Sequence, residues 1–382
     1  FQKKRASQRR GINEKTAGIA GEVSQTPQQW NSRIFSMIQS LSENVMIPIA
    51  GLIIAYVLCY ELITMVTEKN FKHFEGVVEY LKAVPYDVTK KGLYSATDLY
   101  EGFDPDEQES FNTCFDTRVY QHYMSKGKKS ADVHESLART LHDHAMHVSL
   151  DAFFEKHNHR LCIGLMGGHA LLRTDEMYRK AVYLSKRLTE EGFFMLSGGG
   201  PGAMEATHLG AWLAGRSEVE VEDALSMLCA SPHFKDEGWL ASAFRVMEKY
   251  PQDRYVSLGI PTWLYGHEPS TPFATHIAKF FENSLREDSI LTLAYGGIIY
   301  APGSAGTMQE IFQDAVQNHY LSFGFSSPMV FMGKEYWTKE MPVYPMLQDL
   351  MERGKYKNLL LSIYDEQEAI VDELVRFKEK SV

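Results

Sequence analysis

What this chain has little of narrows its function before any motif is read. Only four of its 382 residues are cysteine, Cys59, Cys114, Cys162 and Cys229. They are scattered and show no C-x-x-C spacing, which excludes a disulfide scaffold and a cysteine-type zinc site and fits a reducing, cytoplasmic compartment. Cys162 falls in an apolar run, where a small buried hydrophobe is a simpler role than a nucleophile. Positive charge is also in short supply, with 39 Lys and Arg against 49 Asp and Glu and a formal net charge of -10. Binding to a nucleic-acid backbone needs basic surface, so a nucleic-acid partner is excluded and any phosphate must be held locally. His142, His144 and His147 form no clean i, i+4 pair with a third ligand, and His267 and Glu268 lack a third partner. No metal is expected. With 44% hydrophobic and 23% charged residues, the rest has the composition of a globular protein long enough for one large domain or two.

Long hydrophobic runs are scarce as well. Residues 1–33 are polar, with a basic run at Lys3, Lys4, Arg5, Arg9 and Arg10, and read as a peripheral segment. The chain opens on Phe1, as a fragment or a processed product would. The one long run lies at residues 45–66, V-M-I-P-I-A-G-L-I-I-A-Y-V-L-C-Y-E-L-I-T-M-V. Its uncharged part is a little short of the roughly 20 residues that cross a bilayer, and the run resumes after Glu61. Over about residues 28–70 the chain resembles the first membrane segment of conjugative-transfer channel subunits, and nothing downstream continues that likeness. The Lys and Arg excess ahead of the run predicts a cytoplasmic N-terminus, which would put the remainder outside, away from nucleotides. A buried or partner-bound helix, or a junction foreign to the core protein, therefore stands beside a membrane anchor.

Residues 71–159 read as helices and loops without a catalytic signature, with apolar stripes at Val77, Leu81 and Val84 and at Leu137, Leu141, Met146 and Leu150. From Arg160 strands and helices alternate. A strand at 161–166 ends in Gly167 and Gly168; a helix follows, capped at Thr174 with Asp175 and Glu176 in its first turn and stopped by Gly192. A strand at 193–196 and a helix to about residue 214 come next, then an acidic stretch at about 217–250 that reads as an insertion. Further strands are expected at 255–260, 297–300, 329–332 and 359–363. A helix is expected over 272–293, with Phe273, Ile277, Phe281 and Leu285 on its apolar face and Arg286 just off it. The alternation predicts a doubly wound, mostly parallel Rossmann-like α/β sheet over 160–382, with helices on both faces, preceded by the helical region 71–159 and the peripheral segment 1–70.

Two strand-to-helix turns stand out. Residues 295–310, Y-G-G-I-I-Y-A-P-G-S-A-G-T-M-Q-E, read as a buried strand that breaks at Pro302 and Gly303 and re-enters a helix at Thr307. Such a turn leaves backbone N–H groups unpaired at a helix N-terminus, where the dipole favours an anion. Residues 193–205, F-F-M-L-S-G-G-G-P-G-A-M-E, repeat the design, with Pro201 suited to the first turn of a helix. One glycine-rich turn says little, since any α/β unit uses them; two in one domain point to a phosphate. The candidates are Gly198, Gly199, Gly200, Gly202, Ala203, Met204 and Glu205 in one turn and Gly303, Ser304, Ala305, Gly306 and Thr307 in the other. Gly198, Gly200 and Ala203 also fit the dinucleotide pattern G-x-G-x-x-A, but they follow the second strand, and Glu218 and Glu220 fall in a polar stretch, which makes an NAD-dependent oxidoreductase the weaker reading. Gly167, Gly168, Trp263, His267 and Glu268 follow strand ends, where α/β sheets place ligands; contact with a base or sugar and an ordinary loop explain them equally.

The motifs S-G-G-G-P-G-A-M-E-A, R-E-D-S-I-L and P-G-S-A-G-T-M-Q-E resemble the family of the lonely-guy cytokinin-activating phosphoribohydrolases and the bacterial nucleotide 5′-monophosphate nucleosidases, members of which have been labelled lysine decarboxylases. The resemblance covers about residues 160–335 and extends more loosely to the C-terminus. With residues 71–159 the chain is similar to a longer bacterial subgroup of Rossmann-type nucleotide-binding proteins. The resemblance implies hydrolysis of the N-glycosidic bond of a nucleoside 5′-monophosphate to free base and ribose 5-phosphate, by a homodimer, with no metal and no organic cofactor. It puts Arg286 and Glu310 in the catalytic positions. A carboxylate can stabilise an oxocarbenium-like ribose while it orients or deprotonates water, and an arginine can hold phosphate or leaving group with its planar fork. Taken alone, Thr307-Met308-Gln309-Glu310 is a capping box and Arg286 a surface charge beside Glu287 and Asp288. Three residues depart from the family pattern: Ser304 replaces a glycine, Gln309 an acidic residue and Glu287 a lysine, which weakens cytokinin as the substrate. A nucleotide sensor of the same fold that binds without turnover is the alternative, and a membrane-anchored partner protein a further one.

Overall fold

The apolar runs pair side by side. The computed structural model describes residues 71–380 together with Ser32, Arg33 and Ser36, so the hydrophobic run at 45–66 lies outside the described residues. Among the described residues no helix is long and apolar enough to cross a membrane. The chain divides into two units, Phe1–Glu79 and Tyr80–Val382, and the sheet belongs to the second.

Helices α1 (Phe71–Ala83), α2 (Ala96–Leu99), α3 (Phe115–Ser125) and α4 (Val133–Phe154) precede the first strand. The Asp132 carboxylate caps α4 by accepting the His134 N–H. Ala138, His142, Met146 and Leu150 recur every four residues along α4 and form its buried stripe, with Leu137 and Leu141 at the margin. The β/α part then runs β1 (Cys162–Met166), α5 (Glu176–Glu190), β2 (Phe194–Ser197), α6 (Ala203–Trp212), α7 (Glu218–Leu228), α8 (Trp239–Lys249), β3 (Ser257–Gly259), β4 (His276–Ile277), α9 (Asn283–Leu293), β5 (Gly297–Tyr300), α10 (Ala305–Tyr320), β6 (Pro328–Met332), α11 (Val343–Glu352), β7 (Leu360–Tyr364) and α12 (Gln367–Lys380).

The strands form one parallel sheet in the order β4-β3-β2-β1-β5-β6-β7. Strands β1, β2, β5 and β6 are buried along their whole length, because helices cover both faces and leave no solvent side for polar residues to alternate onto. Successive side chains still divide between the faces: Cys162 and Met166 join the core layer that includes Met146 and Trp263, while Ile163 and Leu165 join the layer under α5, α6 and α12. Truncating a side chain such as Leu165, fully buried, costs about 2–5 kcal/mol.

The chain winds outward from β1 to β4 and then returns across β1 to lay down β5 on its other side. That reversal opens a crevice beyond the C-terminal ends of β1 and β5. Met166 lies opposite Tyr300, and the two chains leave the sheet still joined: Ala301 N–H donates to the Met166 carbonyl (2.8 Å) and Gly168 N–H to that of Pro302 (3.1 Å).

Three sequence readings change. Helix α5 is capped at Asp175 rather than Thr174, and the Asp175 carboxylate accepts the Leu172 N–H (2.7 Å). The helix expected over 272–293 begins only at Asn283. Residues before it are extended: Ala278 and Phe280 N–H groups donate to the carbonyls of Gly259 and Pro261, and Ile277 exchanges hydrogen bonds with Tyr94 (2.8 and 2.9 Å). Pairing with a neighbouring strand has overridden a helical spacing of apolar residues. The acidic stretch at 217–250 folds as α7 and α8 within the crossover from β2 to β3, with Val221, Leu225, Leu228, Leu240 and Val246 buried. Its Glu220 closes a capping box with Ser217.

Candidate functional site

A cleft of about 270 Å³ occupies the crevice at the ends of β1 and β5. Its floor at the β5 end is the turn into α10. Ser304 is the N-cap, so the helix starts at Ala305, earlier than the expected Thr307. Glu310 therefore falls in the second turn and is no capping-box partner. No side chain caps α10, and its first-turn N–H groups stay unclaimed where Ser304, Gly306 and Thr307 line the cleft. This is a ready cradle for an anion. Tyr336 fixes the turn from outside by donating its hydroxyl to the Gly303 carbonyl (2.5 Å); Gly303 and Ala305 complete the turn without lining the cleft.

Glu310 points into the same cleft with its side chain 13% exposed, and its Oε1 lies 3.9 Å from Arg286 Nη1. Burial pushes its carboxyl up to about 7, against the lowering pull of Arg286 and with a further upward push from Glu287. A carboxyl raised toward neutrality suits a group that moves a proton.

Arg286 is held from three sides. Its Nε donates to the Ile260 carbonyl (3.1 Å). Its guanidinium crosses the bare face of Gly198, where a Cβ would lie 2.0 Å from Nη2 and 2.7 Å from the Met204 sulfur. Gly198 is thus needed for the close approach of the arginine. Helix α9, which carries Arg286, is anchored by Asp143 of α4, whose carboxylate accepts the N–H groups of Phe281 (2.9 Å) and Glu282 (2.8 Å). Glu282, the α9 N-cap, makes no capping bond of its own. Glu287 and Asp288, expected as alternative partners of Arg286, instead accept from Gln309 (2.9 Å) and Gln313 (2.5 Å) of α10. Two of the departures from the family pattern, Glu287 and Gln309, are therefore bonded to each other and tie α9 to α10.

The first glycine turn contributes less than expected. Gly198 and Met204 line the cleft, while Gly199, Gly200, Gly202 and Ala203 lie behind it. Pro201 precedes the N-cap Gly202 instead of entering the helix. Gly202 has φ +70, and a Cβ there would come within 2.5 Å of the Gly168 carbonyl oxygen. That carbonyl accepts the Ala203 N–H (3.1 Å), so this helix start packs against the β1 turn and spends its first N–H there. Glu205 is not at the site. It is fully buried and pairs with Arg173 through both oxygens (2.5 and 3.0 Å), and Tyr178 donates to it at 2.9 Å. Arg173 also donates to the Ser231 carbonyl and the Ser242 hydroxyl and lies over the Trp239 ring. The sequence made Glu205 a candidate of the phosphate turn; the structure uses it, through Arg173, to bind α6 to the β2–β3 crossover.

Trp263 is likewise a core residue. It is fully buried, stacks on Phe281 and donates its indole N–H to Asp116 (2.9 Å), which also pairs with the buried Lys279 (2.7 Å). His267 is exposed and outside the cleft lining, whereas Glu268 lines it, with Gly167 and Gly168. Two residues that the sequence reading missed join them. His169 follows Gly167-Gly168 directly, so its position just past a strand end was the available signal; its Nε2 lies 3.9 Å from Glu268 Oε1. Tyr265 sits in a single 3₁₀ turn and carried no signal. Among the described residues no group of three His, Cys, Asp or Glu is placed to hold a metal ion. His142 is buried in a hydrogen bond with Tyr94 (2.9 Å).

Residues 12–83 match the family model described as TrbL/VirB6 plasmid conjugal transfer like protein. No curated protein matches the chain. Among solved structures it is similar to the molybdenum cofactor binding protein from the phototrophic bacterium Rippkaea orientalis, at 15% identity over 56% of this chain and 94% of that one, with a TM-score of 0.35. It is similar to the molybdenum cofactor carrier protein from Chlamydomonas reinhardtii at 15% identity over 56% of this chain and 96% of that one, also with a TM-score of 0.35. At such identities the likeness concerns the fold alone. By its own strand order and crossovers the described part of the chain is a Rossmann-like α/β protein, joined to an N-terminal segment similar to a conjugal-transfer family.

Proposed function

We propose that this protein hydrolyses the N-glycosidic bond of a nucleoside 5′-monophosphate, releasing free base and ribose 5-phosphate, and that it acts as a homodimer in the cytoplasm. One observation carries the reading: a half-buried carboxyl raised to about 7, Glu310, stands 3.9 Å from Arg286 in a cleft floored by an uncapped helix N-terminus. In this reading the 5′-phosphate sits on the first-turn N–H groups of α10, and the ribose lies over Glu310. The bond from C1′ to the base nitrogen breaks with its electron pair leaving on the base. The ionised Glu310 steadies the positive charge that develops on the sugar and takes a proton from the attacking water, whose oxygen bonds to C1′. Arg286, always charged, neutralises phosphate or departing base. The departing base takes its proton from solvent, and no metal or organic cofactor enters the reaction.

The test is release of free base and ribose 5-phosphate from a panel of nucleoside monophosphates, by the full chain and by its Glu310→Gln variant. The expected outcome is turnover by the wild type that falls by roughly a hundredfold or more in the variant while nucleotide binding persists. Nucleotide binding by the wild type with no base released from any member of the panel rejects the enzyme and leaves a sensor.

A further inference from the structure

A second and larger cavity, of about 580 Å³, lies between the loop after α3, helix α4 and the approach to α9. Lys128, Lys129, His144 and His147 line it. Among the described residues neither lysine ammonium has a hydrogen-bonded or ion-paired partner, and neither of these imidazoles is hydrogen-bonded. Two acids share this lining. Asp143 spends both oxygens on the N–H groups of Phe281 and Glu282. Glu282 is exposed and accepts only from Ser284 (3.3 Å).

The loop that presents the lysines is built rather than loose. Arg139, buried beneath it, donates to the carbonyls of Gly127 (3.1 Å) and Lys128 (3.2 Å), while its Nε pairs with Glu135 (2.7 Å) and its guanidinium lies 4.4 Å from the Tyr123 ring centroid. Two ammonium groups on a loop pinned by a buried arginine thus share one cavity lining with two imidazoles.

We propose that this cavity is a binding site for a small phosphate-bearing anion, distinct from the cleft at β1 and β5. Lys128 and Lys129 supply charge-assisted hydrogen bonds from one side and His144 and His147 supply donors from the other. The site touches the element that carries Arg286, since Phe281, Glu282 and Leu285 form its wall, but its occupancy does not depend on the nucleosidase reading.

Pyrophosphate is the probe, titrated calorimetrically into the full chain carrying Arg286→Ala, which removes the arginine from the first cleft and leaves the dependence on the two lysines as the readout for this one. The same titration is repeated with Lys128→Ala and Lys129→Ala added. Both lysines are exposed, and unchanged thermal unfolding checks that the triple variant is folded. The expected result is one pyrophosphate per chain in the Arg286→Ala protein and an affinity lower by roughly tenfold or more without the lysines. Absence of binding to the Arg286→Ala protein, or an affinity indifferent to the two lysines, overturns the proposal.

Discussion

Replacing Asp314 by asparagine shifts the stability difference toward the variant as pH rises through a defined window. Asp314 lies on α10, one turn beyond Glu310, and is 2% exposed. Tyr300 donates its hydroxyl to one oxygen (2.6 Å) and Asn318 its amide to the other (3.2 Å), and no Lys, Arg or His among the described residues pairs with it. Burial pushes its carboxyl up from 3.8 to about 7, partly offset by the Tyr300 hydrogen bond. A carboxyl raised on folding binds a proton that the unfolded chain has already released, so stability is lost as pH rises from about 4 to about 7 and stays lost above it. A rise from 3.8 to about 7 corresponds to on the order of 4 kcal/mol, or roughly 6–10 °C in Tm for a domain of this size. Asparagine keeps the shape and removes the charge. Thermal unfolding of both proteins at half-unit steps from pH 4 to 9 gives the difference in Tm. It is expected to climb in favour of the variant up to about pH 7 and then level. A difference that is constant with pH, or that moves toward the wild type, refutes the reasoning.

Three further outcomes are expected. If Glu310 must be ionised to act, turnover rises about tenfold per pH unit below 6 and levels above 8, following its value of about 7; a flat rate between pH 5 and 8 excludes it as the base. Gly198→Ala drives a methyl into Arg286 Nη2 and the Met204 sulfur, displaces the arginine, and weakens nucleoside monophosphate binding roughly ten- to hundredfold, read by calorimetry; unaltered affinity shows that Arg286 does not serve the ligand. Arg173→Met takes from the buried Glu205 its ion-pair partner and leaves it only the Tyr178 hydroxyl, which costs about 3–5 kcal/mol, most of which returns when Glu205→Gln is added, as denaturant titration of the two variants measures.

Several features were legible in the residues themselves. Short apolar runs bounded by glycine, alternating with amphipathic helices, dictate a covered parallel sheet, and the β5 run 297–300 appears at the boundaries expected for it. The break at Pro302-Gly303 followed by a helix was likewise readable, because turn signals are local, although the helix starts at Ala305 rather than Thr307. Where reading failed, the deciding partner was distant in sequence. Glu205 was a candidate site residue until Arg173 met it across 32 residues; Trp263 stood equally as a base contact or an ordinary loop residue until Asp116 claimed it across 147. Residues 272–282 carried a helical spacing, and the carbonyls of Gly259 and Pro261 drew them out into strand-like backbone. Arg286 and Glu310 could be named from a motif, but their juxtaposition, the crossing of Gly198 by the guanidinium and the raised carboxyl exist only once α9 and α10 pack over the ends of β1 and β5. Local sequence sets propensity, turns and caps within a few residues. Desolvation and side-chain pairing depend on what lies across the fold, and there the tertiary structure alone decided.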